Sequence, residues 1–150
     1  MSNINNQPNS QRWAAMQTLL TALRGAPMLA GVRVVHNPRG PAVLKDGMHL
    51  VVLKDRIDSI ENKSGQMENR SHQFLLAAIA RLDDDADAAA DALHEAAAVV
   101  LRSSLKLLLQ QDRVVNLSEV STQFETENLE TDGALCLSTW DLKYRKTGPQ

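Results

Sequence analysis

Gln73-Phe74-Leu75-Leu76-Ala77-Ala78-Ile79, then Asp83-Asp84-Asp85-Ala86-Asp87, then an alanine-rich run through Gln110: the order of these three pieces decides the fold. A short apolar run alone is compatible with either strand or helix. Here an acidic cluster follows it and opens a fresh helical pattern, so the run itself is predicted to be a strand inside a sheet. From about Asp84 to Gln110, Ala86, Ala90, Leu93, Ala97, Val100, Ser104 and Leu107 recur at spacings of three and four, which predicts one long helix. Asp83, Asp84, Asp85 and Asp87 lie at its positive end, and Arg102 and Lys106 lie nearer its negative end. Each well-placed charge contributes about 0.3–1 kcal/mol. The small residues Ala86, Ala88, Ala89, Ala90, Ala96, Ala97 and Ala98 let such a helix lie close to a sheet or to another subunit.

Working outward toward the N-terminus, His49-Leu50-Val51-Val52-Leu53 is apolar on both faces and predicts a second interior strand. Residues 55–70 between the two runs are polar, nearly neutral and contain Gly65. They are expected to form a long hairpin connection, into which Ile57 and Ile60 could extend a strand. Upstream, Val32, Val34 and His36 alternate with Arg33 and Val35, and Asn37-Pro38-Arg39-Gly40-Pro41 breaks the pattern as a loop. A first helix is predicted from about Ser10 to Arg24. Trp13, Met16, Leu19, Leu20 and Leu23 supply its stripe, Ser10 its cap, and Gly25 and Pro27 its end. Residues 1–9 are rich in asparagine and are expected to be a flexible segment ahead of one domain over 10–146, with 147–150 as a tail.

After Gln111 two strands are predicted. Val120, Thr122, Phe124 and Thr126 would form a dry face opposite Glu119, Gln123, Glu125 and Glu127. Asn128 to Gly133 makes the turn, and Leu135 to Tyr144 returns with Trp140, Leu142 and Tyr144 on one face. The fold class is therefore α+β: a mostly antiparallel or mixed sheet, with an N-terminal helix and one long helix packed on one face.

The chain has 150 residues, enough for one core, with 43% hydrophobic and 23% charged residues. Aromatics are only 3%, so leucine, valine, alanine and isoleucine must build that core. A formal charge of −2 argues against tight nucleic-acid binding. Lys143, Arg145 and Lys146 are expected to be a solubilising strand edge rather than a phosphate contact. Cys136 is the single cysteine and sits in an apolar run, as a buried small hydrophobe would. The start of the chain lacks the features of a signal peptide, and no run approaches the ~18 apolar residues of a membrane span. A cytoplasmic location during assembly is expected.

Chemistry is sought and not found. His36, His49, His72 and His94 show no paired-ligand spacing, and no phosphate loop or nucleophile elbow occurs. His94 is expected on a solvated helix face and His72 at a strand edge. Adjacent aspartates opening an alanine-rich helix are expected to cap it and lack calcium-loop spacing. No catalytic residue, metal or cofactor is predicted, and the chain is expected not to be an enzyme.

The order of elements resembles the tail terminator proteins of long-tailed phages, the family of the lambda-type minor tail protein U. Four features carry the resemblance: the helix Trp13 to Leu23 with Val32-Arg33-Val34-Val35 after it, the strand pair at 49–53 and 72–79, the alanine-rich helix, and the closing hairpin ending in Trp140-Asp141-Leu142-Lys143-Tyr144. It implies a homohexameric ring in the virion that caps the tail tube, stops its growth and offers a surface for head joining. Partners would be the tube protein and a head-tail connector, with DNA passing through unread. Lys54, Arg56, Asp58, Glu61, Lys63, Glu68 and Arg70 would be candidate contacts between subunits, with a solvated mobile loop as the competing reading. A head-side connector or neck protein of similar fold is the alternative function, and a small nucleic-acid-binding protein a further one.

Overall fold

The computed structural model describes residues 10–39, 49–81, 85–110, 113–128 and 133–147. Its elements run α1 (Gln11–Gly25), β1 (Arg33–His36), β2 (His49–Ser64), β3 (Met67–Ala80), α2 (Ala86–Ser103), α3 (Leu105–Gln110), β4 (Val114–Asn128) and β5 (Gly133–Thr147). The five strands form one sheet in the order β1-β2-β3-β5-β4. β1 is parallel to β2 and every other neighbouring pair is antiparallel, so the sheet is mixed. The predicted α+β class holds. Of the turn predicted from Asn128 to Gly133, the two ends are paired residues of β4 and β5, while residues 129–132, like the segment 1–9 and Asp83 and Asp84, lie outside the described residues.

α1 begins where Ser10 accepts a hydrogen bond from the Trp13 amide at 3.1 Å, the cap expected of a serine at that position. Its stripe buries Ala15, Met16, Leu19, Leu20 and Leu23. Arg24 donates twice to the Val34 carbonyl, at 3.0 and 3.3 Å, and so ties the end of the helix to β1.

Strand parity explains the core. Val51 and Leu53 of β2, Phe74, Leu76 and Ala78 of β3, and Trp140 and Leu142 of β5 all face α1, α2 and α3. Phe74 and Trp140 are register partners whose rings stack, with centroids 6.4 Å apart and planes 16° apart. The alternate residues Leu50 and Val52 pack with Val35, Ala77 and Ile79 on the other face, so β2 is buried on both sides as its apolar run predicts. Where α2 begins, the contact is made of small side chains only. Ala90, with Ala86 and Ala89, meets Ala80, Ala134 and Cys136. Alanine therefore lets the helix approach the sheet, and Cys136 is a buried thiol, pushed up to about 11 by its burial.

The predicted single helix from Asp84 to Gln110 is interrupted at Ser104. Ser103 and Ser104 return their hydroxyls to the Val99 and Val100 carbonyls, each at 2.8 Å. Such back-bonding competes with the helix ladder and bends it. The break shifts the phase of the stripe: Leu108 is buried, and Leu107, expected inside, is 51% exposed. At the other end Asp85 has φ +59° and makes no side-chain capping bond, so the expected aspartate cap is not formed by that residue.

Two histidine expectations are corrected. His94 is buried rather than solvated, with Nε2 2.7 Å from the Ser138 hydroxyl. Trp140 Nε1–H donates to the same oxygen at 2.7 Å, so the Ser138 hydroxyl serves both buried rings. Burial pushes the His94 imidazole below its usual range, against the pull of Glu119, Glu95 and Asp91. Replacing Ser138 with alanine is expected to lose about 1–3 kcal/mol, because two buried polar groups lose their partner. Since the folded pKa of His94 is depressed, its contribution is complete above an unfolded value near 6.5 and is lost as pH falls below it. Urea unfolding between pH 7 and 5 is expected to show that decline, and His94→Leu to flatten it.

The dry face predicted for β4 is also corrected. Val120 is 55% and Phe124 64% exposed, although Val114 and Leu117 are buried. A register irregularity between Glu119 and Ser121 breaks the alternation in this edge strand.

Candidate functional site

Residues 55–70, expected as a connection, are strand almost throughout. β2 and β3 pair continuously in antiparallel register down to Ser64 and Met67, with irregularities between Asp55 and Ile57 and between Ile60 and Asn62. The turn is only two residues, and Gly65 takes φ +61°, a conformation that costs glycine little. What holds this projecting hairpin together is polar. Asn69 donates to Asn62 across the pair, and Arg70 bridges both strands.

The seven residues singled out in the sequence divide into three groups. Arg70 donates from Nη1 to Asp58 at 2.7 Å and from Nη2 and Nε to Glu68 Oε2 at 2.8 and 3.0 Å. Their side chains are 19%, 18% and 7% exposed, so this is a largely buried ion triad. Tyr144 of β5 donates its hydroxyl to Asp58, 2.9 Å from each carboxylate oxygen. Burial, with that same carboxylate, pushes the phenol up to about 12. Glu61 instead pairs with Lys143 of β5 at 3.4 Å, both partly exposed. Lys54, Arg56 and Lys63 remain as exposed cations with no ion pair among the described residues.

The triad continues into a cluster missed in the sequence. His72, expected at a strand edge, is fully buried and donates from Nε2 to Asp55 Oδ1 at 3.0 Å. His36 donates from Nε2 to Asp55 Oδ2 at 3.2 Å, and its Nδ1 faces Gln17 of α1 at 3.4 Å. Asn37, at φ +49°, ends β1 by donating to Asp55 Oδ2 at 2.9 Å and accepting the Asp55 amide at 2.8 Å. His72 Nδ1 lies 3.7 Å from Asp58 and is a buried side-chain atom without a hydrogen-bond partner. Parity was the available signal: His72 shares its face with Phe74, Leu76 and Ala78, all inside. His36 and Asp55 carry no comparable mark, because they meet across a parallel strand pair.

Burial alone would raise the Asp55 carboxyl, but hydrogen bonds from His72, Asn37 and His36 outweigh it and hold it well below the usual carboxylate range. Its stabilisation is therefore complete above an unfolded value near 4 and is lost as pH falls below it. Asp55→Asn is expected to lose about 2 kcal/mol at neutral pH and to make the acid limb of a stability profile shallower. Thermal melts from pH 7 to 3 check both.

Chemically, the cluster is a set of groups that bond to one another across β1, β2, β3 and β5, with His72 Nδ1 left without a partner. Among the described residues no group of three or more histidine, cysteine or acidic side chains is placed to hold a metal, and no helix is long and apolar enough to cross a membrane. An open cleft of about 190 Å³ beside the triad is lined by Asn69, Arg70, Tyr144, Lys143 and Arg145.

No family model and no curated protein matches the chain. The fold is similar to that of a solved chain described as "Virion of native gene transfer agent (GTA) particle", with TM-score 0.57 and 16% identity. The alignment covers 93% of this chain and 100% of that one. At this identity the likeness is one of fold, and it extends over nearly the whole chain.

Proposed function

We propose that this chain is a phage-type virion structural protein that forms a ring and acts as a tail terminator: it caps the tail tube, stops its polymerisation and offers the surface to which the head joins. The observation that carries the reading is the end-to-end fold likeness to a component of a virion particle. The element order that resembles tail terminators supports the finer role. The ring would be a homohexamer, in contact with the tube protein on one side and a head-tail connector on the other, with DNA passing through unread. On this reading the protein is not an enzyme, and the buried His36–Asp55–His72 and Asp58–Arg70–Glu68 groups serve to hold the projecting hairpin in shape.

Light scattering after size exclusion, over a range of concentrations, tests self-association, and negative-stain images of the protein mixed with tail tubes test capping. Rings at tube ends, and overlong tubes when the gene is deleted, are expected. A strict monomer without affinity for tubes, together with normal tails in its absence, would overturn the reading. Binding to isolated heads instead of tubes would favour a head-side connector.

A further inference from the structure

β2 changes character at one point. As far as Leu53 it is bordered by β1, and Asn37 then takes the Asp55 amide. The register irregularity between Asp55 and Ile57 follows, and beyond it residues 57–64 pair, among the described residues, with β3 alone. The two carboxylates on either side of this irregularity are held by different parts of the molecule. Asp55 is fixed to the body of the sheet by Asn37 and by His36 of β1. Asp58 is fixed within the hairpin by Arg70 and to β5 by Tyr144. His72 of β3 lies between them, fully buried, with its ring stacked on Phe74 at 6.2 Å and 22°.

The two nitrogens of this ring meet the two carboxylates unequally. Hydrogen bonds keep Asp55 ionised, and an ionised carboxylate only accepts. The proton of a neutral His72 therefore sits on Nε2, 3.0 Å from Asp55 Oδ1. Nδ1 then turns a lone pair toward Asp58 Oδ1 at 3.7 Å, and that oxygen is itself an acceptor, for the Tyr144 hydroxyl at 2.9 Å. Two acceptors facing each other form no hydrogen bond, which accounts for the unpartnered buried nitrogen. His36 has the opposite arrangement on the same Asp55. Its Nε2 donates to Oδ2, and its Nδ1 faces the amide nitrogen of Gln17, a donor, at 3.4 Å. His36 is complete as a neutral ring, and His72 is not. The surrounding charge points the same way: Asp55, Asp58 and Glu68 are three acids grouped around the one guanidinium of Arg70. Arg12 of α1 adds a cation on the far side, near Tyr144, whose phenol is pushed up to about 12 and so remains a donor.

We propose that His72 is a proton-operated latch at the base of the hairpin: a proton taken from solvent at Nδ1 turns its approach to Asp58 into a charged hydrogen bond and ties residues 57–64 of β2 to the body of the sheet. The only bond formed is N–H, and the imidazolium then donates to a carboxylate on each side. Closing 3.7 Å to the roughly 2.8–3.2 Å of a hydrogen bond takes a shift of less than ~1 Å. The irregularity between Asp55 and Ile57 is where β2 can absorb that shift without disturbing its pairing on either side. Without the proton, the two carboxylates belong to separate networks, one in the body and one in the hairpin. With it, Asp55, His72 and Asp58 form one continuous chain of bonds from β1 through β2 and β3 to β5.

This inference does not depend on the ring reading and is tested on the free chain. Nitrogen-15 NMR of the histidine rings follows Nδ1 and Nε2 of His72 separately from pH 8 to 5, the range in which histidine side chains ordinarily change charge. Nδ1 is expected to pass from an unprotonated to a protonated signal while Nε2 keeps its proton. Over the same range, hydrogen exchange corrected for intrinsic rates should show the protection of residues 57–64 rising about tenfold or more, as a hydrogen bond to a charged group implies. Amides between β4 and β5, on the other side of the sheet, should not rise with it. In His72→Phe, which keeps an aromatic ring against Phe74 and has no nitrogen to protonate, the rise should be absent. An Nδ1 that stays unprotonated throughout overturns the latch, as does a protonation that leaves the protection of 57–64 unchanged or lowers it. A rise that persists in His72→Phe overturns it too, because another group would then carry the effect. Circular dichroism verifies that the variant is folded. If it is not, the ring signals and the exchange of the wild-type protein decide by themselves.

Discussion

Replacing Arg70 with alanine is expected to cost the fold about 3–5 kcal/mol, because it removes the only cation from a buried group and leaves two carboxylates facing each other. Asp58 and Glu68 are nearly enclosed, and the guanidinium reaches both at 3.0 Å or less. Its hydrogen bond to Asp58 raises the Arg70 pKa despite burial, so the charge is present throughout the pH range of the fold. Urea unfolding monitored by tryptophan fluorescence reads the loss. Arg70→Lys is expected to recover only part of it, since an ammonium cannot supply the two-pronged geometry. Adding Glu68→Gln to Arg70→Ala should return part of the stability by removing one uncompensated charge, a coupling that a double-mutant cycle isolates. An Arg70→Ala protein as stable as the wild type would show that the triad contributes nothing.

Trp140→Ala is expected to lose a similar amount, about 3–5 kcal/mol, for an apolar reason. Trp140 is 1% exposed, stacks on Phe74 and lies beneath the Arg102 guanidinium, 5.8 Å from the ring centroid. Alanine leaves a cavity between the sheet and the helices, over the centre of β3 and β5, where the paired strands have little freedom to collapse. Trp140→Phe keeps most of the ring and forfeits mainly the indole N–H bond to Ser138, so its loss should fall near 1 kcal/mol. Comparing the two variants by calorimetry separates volume from hydrogen bonding. Equal losses would mean that the hydrogen bond, and not the filled volume, dominates at this position.

The layers of the fold were legible because apolar spacing marks them. The run from Phe74 to Ile79 and the strand at His49–Leu53 are continuously apolar, as burial on both faces requires, and the alanine-rich helix carries a periodic stripe. The hairpin from Asp55 to Arg70 carries none, since it projects past the helices and is solvated along much of both faces. It is specified by cross-strand polar pairs and a glycine turn, which a hydrophobic pattern does not report. The break at Ser104 was hidden for a different reason: serine is an acceptable helix residue, and spacing does not report that two in succession both bond backwards. Of the candidate site, residue identities could be nominated from charge density, but not their division. Whether a charge points to Arg70, to Lys143 or to solvent depends on register, and register here shifts twice. The His36–Asp55–His72 cluster joins segments 36 positions apart and has no local signature at all.

The placement of β5 between β3 and β4 has a consequence for how the chain reaches its native state. β2 with β3, and β4 with β5, are each hairpins of neighbouring segments, whereas β3 and β5 join residues separated by 54 positions at Ala80 and Ala134 and by 80 at Met67 and Thr147. Closing so long a loop is slow compared with forming a hairpin. The two hairpins should therefore form first and dock last, with α2 and α3 as the tether between them. Until that docking, the flank of β3 that will receive β5 is an unsatisfied edge, so chains held at that stage by crowding or a weakened core would associate out of register. Rapid dilution during refolding should then raise the yield of native protein.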